Sequence, residues 1–340
     1  MTRILVFLIL SLLSYLSLFL IRRWVEKRQI LDNPNERSSH TVPTPRGGGL
    51  AIVVLVLLTA LVSGITNGNW KPTLIFIVSG IILAFLGWQD DVRSLSPLVR
   101  FPVQGLIAAV SIWGLGYFKA VTIPLFGEWH LGLVGVLITF LWIIGLTNAY
   151  NFMDGIDGIA GGVAFAAGLG WMLLTSNIEY LANSLVFWVA LAIAASSLGF
   201  LGHNWHPARI FMGDVASTFL GYSFAVMPLL ASDQEGDALM LGTLLMWTFI
   251  MDAGVTFIRR ALKRENVFAA HRTHLYQRMV ANGGTHPAVS SLYILMTFLA
   301  VLLAYGWMEE SRLAPPLILI GLPLVWVTLS YFTPSPEHDD

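Results

Sequence analysis

Thr147-Asn148-Ala149-Tyr150-Asn151-Phe152-Met153-Asp154-Gly155-Ile156-Asp157-Gly158 follows an apolar run that begins at Leu131. Such a run is long enough to cross a hydrocarbon core as a helix, which takes roughly 20 residues. At the end of the crossing the chain places two asparagines, two aspartates and two glycines. If the helix continues for another turn, Asn148 and Asn151 share a face, and so do Asp154 and Asp157, each pair at i,i+3. Amide and carboxylate oxygens are hard ligands of the kind Mg²⁺ takes, and glycine lets a backbone approach a phosphate. The stretch reads either as the metal and phosphate end of a membrane site or as a polar helix end touching headgroups.

Working outward, the 340 residues are 56% hydrophobic and only 11% charged, about half the charged share of a soluble protein. The expected fold is an all-α polytopic membrane protein. A formal net charge of -1 without a basic tail gives no reason to expect a nucleic-acid partner, and the lack of cysteine excludes disulfides and thiolate metal sites. Apolar runs at 4–21, 47–65, 73–88, 101–118, 131–148, 159–175, 181–202, 215–231, 238–258, 288–305 and 314–331 predict eleven transmembrane helices. Arg3 precedes the first run and no small-residue cleavage site follows it, so that run is expected to be an uncleaved helix. With the segment after helix 1 inside, 15 of the 19 Lys and Arg residues fall on the inner side. That asymmetry predicts a periplasmic N-terminus and a cytoplasmic C-terminus. Among the short outer loops, Val121–His130 alternates around Gly127 and predicts a small periplasmic hairpin. No soluble domain or internal repeat is evident; residues 1–340 read as a single membrane domain.

The chemistry is expected in the cytoplasmic loops 22–46, 89–100, 149–158, 203–214 and 259–287. In the first, Arg37 and Arg46 suit a phosphate, with Gly47–Gly49 beside them; a basic juxtamembrane loop is the plainer alternative. The second opens on Asp90-Asp91, a pair costly at a membrane boundary unless a cation or water relieves it. The fourth ends in Pro207-Ala208-Arg209-Ile210-Phe211-Met212-Gly213-Asp214, whose carboxylate completes a metal site and whose Phe211 either packs or stacks on a base. His203 and His206 sit at i,i+3, but zinc is discounted because no further soft ligand accompanies them. Asp252 lies inside the ninth span and is expected to be structural, bonding neighbouring polar or basic groups such as Arg259. The fifth loop carries Arg259, Arg260, Lys263 and Arg264, then His271-Arg272-Thr273-His274-Leu275-Tyr276-Gln277-Arg278. Attraction to anionic lipid explains the first cations well and His274 poorly. His286 and His338 are read as incidental.

Taken in order, these loops resemble the polyprenyl-phosphate N-acetylhexosamine-1-phosphate transferases, of glycosyltransferase 4 type. That superfamily includes phospho-MurNAc-pentapeptide transferase, undecaprenyl-phosphate GlcNAc-1-phosphate transferase and the enzymes that initiate O-antigen and teichoic acid synthesis. The matching motifs are the aspartate pair, Asn-Ala-x-Asn-x-x-Asp-Gly-x-Asp-Gly, Pro-Ala-x-x-Phe-Met-Gly-Asp, Asp252 with Arg259-Arg260, and the histidine-bearing fifth loop. The resemblance covers essentially the whole chain. It implies transfer of a sugar 1-phosphate from a UDP-amino sugar to undecaprenyl phosphate, with release of UMP, at the cytoplasmic face of a bacterial inner membrane. It implies Mg²⁺, with Mn²⁺ as a substitute, held by Asn151, Asp214 and Asp91. Asp90, Asp91, Asp214 and His274 would be catalytic, with Asp90 toward the lipid phosphate and Asp91 on the metal side, or the two exchanged. Arg46, Asn148, Asp154, Asp157, Phe211, Arg272 and Arg278 would bind substrate, Phe211 beneath the uracil. Membrane lipid is a further partner, and a homodimer is compatible with this layout.

Departures narrow the branch. Many relatives carry two or three histidines in close succession in loop five, where this chain has Tyr276 two residues after His274. That argues against the alternative of peptidoglycan synthesis. The Arg-Ser-Ser-His-x-x-Pro-x-Pro-Arg-Gly-Gly-Gly loop looks most like O-antigen-initiating enzymes of lipopolysaccharide synthesis, whose donors include UDP-GlcNAc, UDP-FucNAc and UDP-QuiNAc. An ion-coupled transporter, the competing class, would cluster its polar groups at the bilayer midplane. Here they lie at inner helix ends, and only Asp252 is deep.

Overall fold

The computed structural model describes residues 2–32, 34, 42–178, 181–231, 237–266 and 271–334. Arg37 and His338 therefore lie outside the described residues. The chain is a helical membrane bundle: among the described residues ten helices are long and apolar enough to cross a bilayer, eleven spans if a bent pair of helices counts as one. The first five spans are α1 (Thr2–Lys27), α2 (Leu50–Asn67), α3 (Trp70–Arg93), α4 (Pro97–Leu115) and α5 (Val134–Phe152). They are followed by α6 (Ile159–Ser176), α7 (Leu185–Asn204), α8 (Asp214–Ala231) and the bent pair α9 (Asp237–Leu245) and α10 (Trp247–Leu262). A short α11 (Leu275–Ala281) precedes α12 (His286–Met308) and a last span, Ala314–Tyr331.

Burial orders the bundle. The apolar window of α8 is 83% buried, whereas those of α1 and the last span are 17% buried. The α8 helix is thus the central post, packed by α3 and α5, while α7 packs against α1, α2 and α6, and α12 against α6. Close approach of α3 to α8 depends on Gly87, where an added Cβ would fall 2.1 Å from the Asp214 carbonyl oxygen. That contact sets the end of α3, with its aspartate pair, against the start of α8.

The anticipated outer hairpin is present: β3 (Ala120–Ile123) pairs antiparallel with β4 (Gly127–His130), Ala120 opposite His130. At the other end of the bundle, β1 (Leu31–Asp32) pairs with β2 (Thr44–Pro45) and folds the first loop back under α3. Two expectations need correction. Helix α5 stops at Phe152, so Asp154 and Asp157 lie in a turn and share no helix face. The ninth span, expected to run straight over 238–258, bends by 83° between α9 and α10. Past the bend, Asp252, Thr256 and Arg260 form a buried polar stripe at i,i+4 spacing, with Val255, Phe257, Ile258 and Leu262 exposed. The polar stripe finds protein partners while the apolar face is left to lipid, an arrangement that answers the cost of ionisable groups in a bilayer.

Candidate active site

Asp90 and Asp91, adjacent in sequence, point to different neighbours. The Asp90 carboxylate takes the Leu95 N–H at 2.6 Å and the Arg100 guanidinium at 2.6 Å, pinning the turn into α4. The fully buried Asp91 side chain accepts the N–H groups of Asp214 and Val215, at 2.9 and 3.1 Å. It thereby satisfies the free donors at the start of α8, where the helix dipole favours a negative charge. Asp214 lies 3.9 Å from Arg100 and faces Asp90 and Asp91. Arg46 closes the group, 2.8 Å from Asp32 and 3.5 Å from Asp91. Burial works against the Arg46 charge, but Asp214, Asp32 and Asp91 outweigh it and raise its pKa further. The backbone holds Arg46 there: Phe211 N–H donates to the Pro45 carbonyl at 2.8 Å, and Gly48 N–H to the Phe211 carbonyl at 2.9 Å. Loops one and four are thus zipped together, leaving the Phe211 side chain half-buried beside Arg46.

The four polar residues of the decisive stretch diverge. Asn148 donates to Gln104 on α4 at 2.7 Å, whereas the Asn151 carbonyl oxygen accepts from the Ser217 hydroxyl on α8. Half-buried Asp154 joins the charge centre: burial pushes its pKa up to about 7, Asp91, Asp32 and Asp157 add to the rise, and Arg46 opposes it. Asp157 turns the other way, toward His206 Nδ1 at 2.6 Å, His286 Nδ1 at 3.5 Å and the Ala208 N–H at 3.1 Å. Burial opposes its charge, but the two histidines and the amide hold its carboxyl below the usual range.

In loop five, Asp252 accepts Leu275 N–H at 2.7 Å, Tyr276 N–H at 3.2 Å and the Tyr293 hydroxyl at 2.6 Å, with His274 Nδ1 at 3.3 Å. These are neighbouring polar and basic groups of the kind expected for Asp252, and they cap α11; Arg259, given as one example of such a partner, donates to the Thr273 carbonyl. His274 is buried, Arg272 is exposed, and Arg278 donates to the Thr333 carbonyl at 2.5 Å. Tyr276 donates to the Phe152 carbonyl at 3.0 Å across Gly155. A Cβ at Gly155 would fall 2.0 Å from that hydroxyl, so glycine is what lets loop five close on the α5 end. Between α4, α5 and α10 runs an apolar groove of about 490 Å³, lined by Phe101, Trp142, Phe152 and Phe257, with Asn148, His271 and His274 in its wall.

Five carboxylates, those of Asp32, Asp90, Asp91, Asp154 and Asp214, meet two guanidinium groups in the charge centre. A hard divalent cation suits that oxygen-rich excess of negative charge. Sequence reasoning missed Arg100, counted only as an inner-side cation, and Gln104 and Ser217, which orient the two asparagines. It also missed His286; no local signal pairs it with Asp157, because 129 positions separate them and only the packing of α12 on α6 joins them.

The family model for glycosyl transferase family 4 matches residues 73–232, the segment from α3 through α8. The chain is 35% identical over 295 residues to a probable undecaprenyl-phosphate N-acetylglucosaminyl 1-phosphate transferase of Bacillus subtilis, covering 84% of this chain and 80% of that one. It is 29% identical over 332 residues to the undecaprenyl-phosphate alpha-N-acetylglucosaminyl 1-phosphate transferase of Escherichia coli K12, covering 92% and 86%. With decaprenyl-phosphate N-acetylglucosaminephosphotransferase of Mycobacterium leprae it shares 28% over 326 residues, covering 87% and 80%. This extent of likeness, on a bundle of membrane helices, gives one conclusion: the chain is a multi-pass membrane enzyme of glycosyl transferase family 4, the polyprenyl-phosphate hexosamine-1-phosphate transferases.

Proposed function

We propose that the enzyme transfers N-acetylhexosamine 1-phosphate from a UDP-sugar to undecaprenyl phosphate at the cytoplasmic face of a bacterial inner membrane, and so initiates an envelope glycan. The observation that carries this reading is the juxtaposition of the charge centre with the apolar groove between α4, α5 and α10. With a divalent cation bound, the first suits a diphosphate; the second suits a polyprenyl chain whose phosphate must reach the membrane boundary. The names of the relatives support undecaprenyl phosphate and N-acetylglucosamine. The 15-to-4 bias of basic residues supports the cytoplasmic placement.

In this reading a lipid phosphate oxygen attacks the β-phosphorus of the donor. The bond from that phosphorus to the α–β bridging oxygen breaks, and UMP leaves with the electron pair. Arg46 and Arg100 would offset the charge of the diphosphate, and the groove walls would keep the acceptor in register, which in phosphoryl transfer does most of the work. Asp90, fixed by Leu95 and Arg100, would face the incoming phosphate. Asp214, Asp91 and Asn151 would hold Mg²⁺, which supplies charge neutralisation at the phosphate oxygens when bound. Asp154 and Phe211 would meet the nucleotide, and His274 and Arg272 the sugar phosphate.

Purified enzyme given undecaprenyl phosphate, Mg²⁺ and single UDP-sugars tests the reading. The expected result is UMP release with UDP-GlcNAc, abolished by chelator; release only with UDP-FucNAc or UDP-QuiNAc would move the enzyme to the 6-deoxy branch. No release from any donor would refute the reading.

A further inference from the structure

We propose that a groove between α1, α6 and α7, at the end of the bundle opposite the charge centre, seats one phospholipid of net negative charge, its phosphate on Arg3 and an acyl chain along the apolar wall. The groove holds about 440 Å³, within the range of small-molecule sites. Ile4 and Phe7 of α1, Leu169, Met172 and Leu173 of α6 and Phe187 of α7 wall it, with Arg3 and Ser176 at its mouth. From Ser176, the last residue of α6, back to Leu169 is two turns of helix, so the wall runs roughly 10 Å into the span. A soluble anion gains nothing from such a wall, whereas a hydrocarbon chain is matched to it.

The cation at the mouth is held in place. Arg3 Nη2 donates to the Ala182 carbonyl at 2.8 Å and to the Asn183 side-chain oxygen at 3.0 Å, and the guanidinium carbon lies 4.5 Å from the centroid of the buried Phe187 ring. The turn it grips is fixed in its own right. Asn67, at the end of α2, donates to the Asn183 carbonyl at 2.7 Å, and the Ser184 side chain caps α7.

Both acceptors of Arg3 are neutral, and among the described residues no carboxylate pairs with it. Its charge is therefore uncancelled, and the N–H groups of Nε and Nη1 are left for an anion. The planar fork of a guanidinium fits a phosphate, and an uncancelled positive charge at a membrane boundary favours a lipid of net negative charge over a zwitterion. A lipid seated here would bridge α1 to α6, adding contacts to a helix whose apolar window is only 17% buried in protein.

The test is native mass spectrometry of the full-length protein in detergent, offered phosphatidylglycerol or phosphatidylcholine with the same acyl chains. The wild type is expected to retain phosphatidylglycerol at least about fivefold better than phosphatidylcholine, and Arg3→Gln to hold one copy fewer. Lys71, a cation at the same end that lies over the Trp113 ring, supplies the charge-matched control, and Lys71→Gln should behave as the wild type. Leu173 is part-exposed, so Leu173→Trp fills the groove without entering the core and should cost the same copy with Arg3 in place. Gel filtration checks that each variant is folded, and soluble glycerol phosphate should displace nothing. Equal retention of the two lipids, a copy kept by Arg3→Gln or Leu173→Trp, the same loss in Lys71→Gln, or displacement by glycerol phosphate would each overturn the proposal.

Discussion

Asp252→Asn removes one charge from the centre of the loop-five anchor while keeping its shape. The wild-type carboxylate accepts from two backbone amides, one phenol and one imidazole, between 2.6 and 3.3 Å. Hydrogen bonds to a charged group contribute about 1.5–3 kcal/mol each, against about 0.5–1.5 kcal/mol for neutral ones. An asparagine keeps one accepting oxygen and turns an NH₂ toward donors on the other side. Two bonds are then lost and the rest weakened; the two lost bonds alone, at the low end of that range, cost about 3 kcal/mol. The seven residues of α11 cannot sustain a helix alone, so the loss falls on that element and not on the bundle. At about 1.4 kcal/mol per decade, amide exchange over residues 271–281 should quicken by roughly 10²–10³-fold. Hydrogen–deuterium exchange read by mass spectrometry measures it directly, with peptides from α8 as the internal control. His274 should lose its fixed position, so kcat should fall along with protection. Unchanged exchange in a folded Asp252→Asn protein would refute the anchor.

Other predictions concern the charge centre. Folded Asp154 holds its proton to about pH 7, whereas an unfolded aspartate releases it near its ordinary value. Stability of the metal-free protein should therefore fall as pH rises from about 4 to about 7. Asp154→Asn should remove that slope, with a melting temperature a few degrees above wild type at pH 8 and level with it below pH 4, as thermal unfolding in detergent would show. Gly87→Val places side-chain atoms on the Asp214 carbonyl and should cost about 1–3 kcal/mol or more through overpacking, with loss of activity as α3 is forced from α8. Thermal unfolding and UMP release together check that case. Asp214→Asn should leave the melting temperature near wild type while UMP release falls by at least about 10²-fold, the scale on which a charge-stabilising group counts; activity within threefold of wild type would remove Asp214 from the metal set.

What the chain discloses before it folds depends on range. Transmembrane spans are legible because a bilayer demands twenty apolar residues in succession, and Leu131 onward supplies them. The hairpin at 120–130 is legible because its alternation and its glycine are local. The bend between α9 and α10 is hidden, since apolar composition runs through it without a break. The same limit separates Asp154 from Asp157: equal in sequence pattern, one faces Arg46 and the other faces two histidines brought in by α7 and α12. Arg100 was visible as a charge, but its grip on Asp90 depends on the turn between α3 and α4.

The central claim is that the β-phosphorus moves with the sugar. UDP-GlcNAc labelled with ³²P at the β position, incubated with enzyme, Mg²⁺ and undecaprenyl phosphate, decides it by phase partition. The account predicts label in the organic phase and unlabelled UMP in water. Label left in water as UDP, with sugar alone on the lipid, would contradict it.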